Sequence, residues 1–399
     1  MEMYREWDQL AVYKQPPEVL RSKLQIPVKT LMSPGPTNCS ERVLRSLQNQ
    51  VINHLHPEFC QLMDEIKAGL QYVFQTKNRL TLAISASGHG GMEACLVNLL
   101  EPGDTILIVK CGLWGERAAD MANRLGANVR LLETEHNVGI TLEQLKTALE
   151  KHRPDVVFMV HAETSTGVKQ PLEGYGTLVR RYNALLIVDT VASLGGEPFF
   201  MDSWDVDVAY AASQKGLGAC PGLAPVSFNS RAEQKLFRRK TKPISFYWDL
   251  NILGVYWKCF GNNDRVYHHT MSATLIYGLR EALAELAEKG LQECWARNAV
   301  SAARLRKGLE LRGLRLYVKL PQYQLSTVVS VEVPPGIDDK IISQRAMDKY
   351  QVEIARGLGP TMGKIFRVGL LGINATPEKV DLFLHAFDEG LKHATISRL

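Results

Sequence analysis

Residues 205–222 read DVDVAYAASQKGLGACPG, and this stretch decides the fold. Its first part is a short apolar strand, and its second part is a loop of small residues that carries one lysine, Lys215. A charged lysine at the end of a buried strand costs free energy unless a neighbouring group neutralises it or a site uses it. The rest of the sequence should therefore contain either a group that neutralises Lys215 or the other residues of a site that uses it.

Apolar segments alternate with amphipathic helices on both sides of this loop. The segments that read as strands of one large domain are 80–85, 105–110, 155–161, 185–189, 206–212 and 223–228. Continuous apolar strands separated by helices predict an α/β fold, in which a mostly parallel sheet is covered on both faces. Ligands of such sheets bind at the carboxyl ends of the strands.

The length of 399 residues predicts one large and one smaller domain. Residues 1–29 read as an N-terminal arm, 30–290 as the large domain and 291–399 as a smaller C-terminal α+β domain. A helical stretch at 271–312 spans the join. Beyond it the sequence predicts strands at 325–334, 350–355 and 364–370, and helices at 339–350 and 377–394.

Composition excludes several classes of protein. The net charge of +5 is spread along the chain and does not form the clustered basic patch that is typical of nucleic-acid-binding proteins. No apolar run reaches 18 residues, so we expect no membrane segment, and no metal site is predicted. The seven cysteines form no CxxC pair, which favours reduced thiols in an intracellular compartment.

The C-terminal tripeptide Ser397-Arg398-Leu399 differs from the peroxisomal address S-K-L by one basic residue. On these residues alone, an address and a frayed basic tail are equally supported.

Three polar features follow strands. The segment SASGHGGMEA (85–94) is a glycine-rich turn before a helix, which suits an anion, although a structural turn is the alternative. Asp189 ends the strand LLIVD, where a helix N-cap is the alternative. A desolvated lysine such as Lys215 has a lowered pKa and attacks aldehydes. A lysine, a carboxylate for a pyridine nitrogen and a phosphate cup are the three anchors that pyridoxal phosphate needs.

Two further residues fit this hypothesis. Trp114, after the strand TILIVK, could stack on a flat ring, with a core tryptophan as the alternative. Arg367 interrupts an apolar strand, and arginine suits the bidentate binding of a carboxylate. An interdomain salt bridge explains Arg367 equally well.

The sequence as a whole resembles a known family. The similar motifs, in chain order, are SPGPTN (33–38), SGHGGMEA (87–94), LWGERAADMA (113–122), ETSTGV (163–168), VDTVASLGG (188–196), SQKGLGACPG (213–222), YHHT (267–270) and FRVGLLG (366–372). They resemble the alanine–glyoxylate (serine–pyruvate) aminotransferases, class V members of the fold-type-I pyridoxal-phosphate enzymes. The resemblance runs from about residue 15 to the end and implies a mostly parallel seven-stranded sheet in the large domain.

The resemblance also implies roles for individual residues. Lys215 looks like the lysine that forms a Schiff base with the cofactor and shuttles a proton, and Asp189 would keep the pyridine nitrogen protonated. Trp114 would stack on the ring, and Thr164 keeps a hydroxyl for the cofactor.

The phosphate would be held by Ser87, Gly88, His89 and Gln214, and by Tyr267 and Thr270 of the other subunit of a homodimer. The substrate carboxylate would be bound by Arg367, Gly35 and Ser193.

The activity implied is transfer of the amino group of L-alanine, or L-serine, to glyoxylate, giving pyruvate and glycine in ping-pong fashion. An aromatic donor such as 3-hydroxykynurenine is an alternative, as is a non-catalytic dimeric binding protein. A nicotinamide dehydrogenase would need a glycine fingerprint that the sequence lacks. The N-terminal arm would lie across the partner subunit.

The resemblance favours a peroxisomal location, with an import receptor reading the C-terminal tripeptide. Cytoplasm and mitochondrion are the alternatives.

Three positions depart from the family pattern. Ser33 replaces a glycine beside Gly35, and Thr164 adds a methyl group near the ring. Arg356 replaces another glycine. If Arg356 faced the pocket it would favour an acidic or longer substrate; a position facing solvent is the preferred prediction.

Overall fold

The computed structural model describes residues 14–261 and 264–396. The strands are β1 Thr30–Leu31, β2 Leu80–Ile84, β3 Thr105–Lys110, β4 Asn128–Glu133, β5 Val156–Val160, β6 Ala162–Glu163, β7 Val168–Lys169, β8 Leu185–Asp189, β9 Val208–Tyr210, β10 Ala224–Phe228, β11 Val328–Glu332, β12 Val352–Glu353, β13 Ala355–Arg356 and β14 Ile365–Gly369.

The helices lie between these strands in the alternating pattern that the sequence predicts. They are α1 Glu41–Ser46, α2 Pro57–Phe74, α3 Gly88–Leu99, α4 Leu113–Arg124, α5 Leu142–His152, α6 Tyr175–Arg181, α7 Ser230–Phe237, α8 Leu250–Tyr256, α9 Ala273–Lys289, α10 Leu291–Glu310, α11 Asp339–Tyr350 and α12 Pro377–Ile396. Short 3₁₀ turns occur at Glu18–Arg21, Pro321–Tyr323, Gly359–Thr361 and Gly372–Asn374.

The large sheet has seven strands in the order β2-β10-β9-β8-β5-β3-β4. Strand β10 runs antiparallel to its neighbours β2 and β9, whereas the pairs from β9 through to β4 are parallel. The predicted α/β fold with a mostly parallel seven-stranded sheet is therefore confirmed. This topology aligns the carboxyl ends of β2, β3, β5, β8 and β9 along one edge.

The apolar runs explain why these strands are central. Every residue of β2, β5, β8, β9 and β10 is buried, as expected for strands covered by helices on both faces. Strand β4 is not predicted by the apolar pattern, because this edge strand mixes charged and apolar residues and is largely exposed.

A second apolar core belongs to the C-terminal part of the chain. Strands β11, β14 and β13 form an antiparallel sheet, and α10, α11 and α12 contribute side chains to the same core. Strand β1 pairs in parallel with β12, and Met32 is buried in this core rather than in that of the large sheet. The proposed division at residue 290 stays a prediction.

The helical stretch predicted at 271–312 is two helices. Gly290 separates α9 from α10 with φ of +84°, a left-handed conformation that glycine adopts without steric cost. Residues 14–28 of the predicted arm are exposed and Lys29 is half-buried, and residues 1–13 lie outside the described part. None of the described helices combines the length and apolar character that a bilayer crossing requires.

Candidate active site

A cavity opens at the carboxyl edge of the large sheet. It is lined by Ser87, Gly88, His89, Met92, Trp114, Ala162, Thr164, Asp189, Val191, Ala192, Tyr210, Gln214 and Lys215. Eight of these thirteen residues were candidates from the sequence, and they come from the ends of different strands. The topology therefore brings together residues that lie more than a hundred positions apart.

Lys215 follows β9, is half-buried and lines the cavity. Burial, assisted by the nearby Arg367 cation, lowers the pKa of Lys215 to about 8, against the attraction of Asp189 and Glu353. Its Nζ donates a hydrogen bond to the Pro34 carbonyl. An amine with a pKa in this range is partly neutral near physiological pH, and the neutral form is the nucleophile.

Asp189 ends β8, the strand next to β9, and is only 4% exposed. It accepts hydrogen bonds from the Tyr210 hydroxyl and from the Val191 N–H, at 2.5 and 2.8 Å. Burial raises the pKa of Asp189 to about 6, although these bonds and the Lys215 charge oppose the rise. A carboxylate held in this way can retain a proton on a basic ring nitrogen placed above it.

The turn after β2 forms one wall of the cavity. Ser87 occupies the N-cap position of α3, and its side chain makes no capping hydrogen bond. The first N–H groups of a helix have no partner within the helix, so the turn suits an anion. Gln214 lines the same cavity, and among the described residues its buried Oε1 has no hydrogen-bond partner.

Trp114 lines the cavity from the start of α4. Its Nε1 donates a hydrogen bond of 2.7 Å to Thr164 Oγ1, and its ring meets that of His89 edge-on at 5.5 Å between centroids. The hydroxyl at residue 164 thus fixes the indole plane. Whether Trp114 stacks on a bound ring stays a prediction.

Arg367 lies in β14, next to the cavity wall rather than in it. Its Nε donates to the Arg356 carbonyl and its Nη1 to the Thr164 carbonyl, both at 2.9 Å. Burial lowers the pKa of Arg367 to about 10, against the attraction of Glu163. These two bonds use two of the five N–H groups of a guanidinium, so it retains donors for a carboxylate.

Arg356 does not line the cavity. Its Nε forms an ion pair of 2.9 Å with Asp339 Oδ2, and its side chain is 35% exposed. The alternative in which Arg356 binds substrate therefore finds no support in the structure.

The remaining predicted site residues lie outside the cavity lining. Gly35 packs against Lys215: its φ is +106°, and a Cβ there would overlap the lysine side chain. The Ser193 side chain is fully buried and bonds to the Thr190 carbonyl at 3.4 Å, so the structure does not bring it to the cavity. Tyr267 and Thr270 are exposed, and their role in the other subunit stays a prediction.

Two functional neighbours were missed from the sequence. Tyr210 donates a hydrogen bond to Asp189, and the sequence signal for it was its place as the last residue of the strand that precedes Lys215.

Glu163 is fully buried and accepts hydrogen bonds from Ser165 and from the Trp114 N–H. Burial raises the pKa of Glu163 to about 7, against these bonds. Its place three residues after the end of the buried strand β5 was an available signal.

Comparison with known proteins decides the family. The model of the aminotransferase class-V family matches residues 30–383. The chain belongs to this family. It is 48% identical to the alanine–glyoxylate aminotransferase of Drosophila melanogaster, over 96% of this chain and 97% of that protein.

Solved structures agree with this assignment. The alanine–glyoxylate aminotransferase of Nostoc sp. superposes with a TM-score of 0.91 at 45% identity, covering 95% of this chain and all of that one. The ureidoglycine–glyoxylate aminotransferase of Bacillus subtilis gives a TM-score of 0.91 at 35% identity, covering 94% and 95%.

Class V aminotransferases use pyridoxal phosphate, and the cavity of this chain fits that cofactor. The free Ser87 side chain, the unpartnered Gln214 Oε1 and the start of α3 suit the phosphate group. Asp189 and Lys215 lie on adjacent strand ends, where one small ring can meet both. The chain is thus a pyridoxal-phosphate-dependent aminotransferase.

Thr164→Val removes the acceptor of the Trp114 indole. An unsatisfied Nε1–H costs about 1 kcal/mol, so we expect cofactor affinity to fall about fivefold. The measurement is a titration with pyridoxal phosphate, followed by tryptophan fluorescence. Thr164→Ser keeps the hydroxyl and is the matched control, which retains wild-type affinity. Equal losses in both variants would contradict a role for the hydrogen bond.

Proposed function

We propose that the enzyme transfers the amino group of L-alanine to glyoxylate, giving pyruvate and glycine. The observation that carries the proposal is that Lys215 and Asp189 line one cavity in a chain nearly half identical, over 96% of its length, to an alanine–glyoxylate aminotransferase. Glyoxylate appears in the names of all three relatives described above, whereas the donor is alanine in two and ureidoglycine in one. The acceptor is thus better supported than the donor.

Different residues of the chain have different roles in such a reaction. Pyridoxal phosphate, when bound, supplies an electron sink for the bond that breaks at the substrate Cα. Lys215 Nζ takes and returns the Cα proton, and its lowered pKa keeps it able to act as a base near neutral pH. Asp189 holds the proton of the ring nitrogen. Arg367 orients the substrate carboxylate, which fixes the Cα hydrogen toward the lysine.

The charges around the cavity favour a small monocarboxylic donor. Arg367 retains donors for one carboxylate, and Arg356, the cation that could have attracted a second, is paired with Asp339. L-Serine fits the same charge pattern. An aromatic donor such as 3-hydroxykynurenine is the competing proposal.

The test compares donors on purified holoenzyme. We expect the visible cofactor absorbance to bleach with L-alanine and to return with glyoxylate, and kcat/KM for L-alanine to exceed that for 3-hydroxykynurenine. Lys215→Ala should reduce transamination by about 10²–10⁴-fold or more, because the base is lost, and should leave the circular dichroism spectrum unchanged.

Faster turnover of 3-hydroxykynurenine would replace the proposed donor but keep the chemistry. Full activity of Lys215→Ala would contradict the mechanism. Absence of cofactor absorbance after addition of pyridoxal phosphate would favour the binding-protein alternative.

We also propose that the active site is shared between the subunits of a homodimer. The arm exposes apolar side chains, with Leu24 86% and Val28 91% exposed, and such residues suit contact with a partner. Tyr267 is 55% exposed beside Thr270, in a motif that the family resemblance assigns to the phosphate of the other subunit.

Mixing two inactive variants tests the sharing. Lys215→Ala and Tyr267→Ala are each expected to be defective, the second through weak cofactor binding. In a mixed dimer one site combines both defects, and the other has a complete set of residues. Refolding the variants together should restore about a quarter of the wild-type sites, measured by turnover. A mixture no more active than its parts would contradict a shared site.

For location we propose peroxisomal import through Ser397-Arg398-Leu399, which lies outside the described residues. The support is the similarity of the tripeptide to S-K-L. A fluorescent protein fused upstream of the last residues should accumulate in peroxisomes, and deletion of the tripeptide should disperse it. Unchanged peroxisomal fluorescence after deletion would overturn the proposal, and mitochondrial fluorescence would favour that alternative.

A further inference from the structure

Two cysteines meet beside the loop that carries Lys215. Cys39 follows the segment that packs against this lysine, and Cys220 lies five residues after it in the chain. Their Sγ atoms are 3.6 Å apart, although the residues are 181 positions apart in sequence. Both thiols are free and half-buried, so a small reagent can reach them. The transamination chemistry described above uses neither.

The two thiols are chemically unequal. The hydrogen bond between the two Sγ atoms lowers the pKa of Cys220 to about 7, against the effect of burial. The same hydrogen bond, together with burial, raises the pKa of Cys39 far above the ordinary range of a thiol. The thiolate is the form that reacts with oxidants, and the 3.6 Å between the two Sγ atoms places a second thiol where it can attack an oxidised partner.

We propose that Cys39 and Cys220 are a peroxide-reactive pair that closes to a disulfide and lowers turnover. The Cys220 thiolate attacks one oxygen of hydrogen peroxide, the O–O bond breaks, and a sulfenic acid and one water form. The Cys39 sulfur then attacks the sulfenic sulfur, an S–S bond forms, and a second water leaves. In total two thiols lose two electrons and two protons, and one peroxide becomes two waters.

The disulfide would act on Lys215 through the two segments that it joins. A disulfide bond is about 2.05 Å long, so the sulfurs must approach by about 1.5 Å from their present separation. The segments are already tied at the lysine, since the Thr37 N–H donates to the Gln214 carbonyl at 2.9 Å and Lys215 bonds to Pro34. A shift of either segment therefore displaces the catalytic amine, and small displacements of reacting groups slow reactions strongly.

The experiment treats purified holoenzyme with hydrogen peroxide, alkylates the remaining thiols under denaturing conditions and maps the tryptic peptides by mass. We expect peptides 30–42 and 216–231, which contain Cys39 and Cys220, to appear joined, with loss of two hydrogen atoms. Turnover should fall on the order of tenfold and recover with dithiothreitol. Because the readout is a peptide mass, it does not depend on which amino acid is the donor.

Variants separate this pair from general oxidation. Cys60→Ser removes another half-buried thiol and should leave both the joined peptides and the loss of turnover unchanged. Cys39→Ser should be active when reduced, and its unpartnered Cys220 should be oxidised further, to the sulfinic acid, instead of forming a disulfide. This variant should not recover with dithiothreitol if that acid also lowers turnover.

Two results would overturn the proposal. If the two peptides are alkylated separately after peroxide treatment while other cysteines are oxidised, the pair is not a modification site. If the joined peptides form in full and turnover is unchanged, the disulfide does not act on Lys215.

Discussion

The rest of the site depends on keeping two opposite charges, the buried Asp189 and the half-buried Lys215, at one edge of the large sheet. Lys215 and Asp189 follow adjacent strands, and burial shifts the pKa of each toward its neutral form, to about 8 and about 6. Removing two charges from water is costly unless hydrogen bonds and mutual attraction offset the cost. Tyr210 and the Val191 N–H hold the carboxylate, and the Pro34 carbonyl holds the amine. A bound ring with a basic nitrogen would complete this arrangement.

The same constraint explains the small residues around the lysine. Gly35 has to be a glycine for two reasons, since its φ is +106° and a Cβ would overlap Lys215. Gly216 also has no room for a side chain, because a Cβ would meet the Leu194 carbonyl. The loops are thus packed backbone to backbone around one long side chain.

Much of the fold followed from the sequence, because buried strands carry their own signal. Residues 106–109 and 185–188 are continuous apolar runs, and the structure has strands with the predicted bounds 105–110 and 185–189. Strand β4 gave no such signal, since an edge strand is exposed and its charged residues resemble a loop. The lining residues at strand ends were predictable for the same reason. Contacts set by tertiary packing were not: neither the bond from Trp114 to Thr164 nor the ion pair of Arg356 has a local pattern.

The departures from the family pattern gain meaning from these contacts. Thr164 lines the cavity and keeps the oxygen that accepts the hydrogen bond of the Trp114 indole, so the change preserves this contact. The carbonyl of Arg356 accepts a hydrogen bond from Arg367, and its side chain forms an ion pair with Asp339. The backbone carbonyl of residue 356 therefore positions Arg367, while the side chain of Arg356 neutralises the buried Asp339. At residues 164 and 356 the residue type differs from the family pattern, but the atom that makes the contact, a hydroxyl oxygen or a backbone carbonyl, is kept.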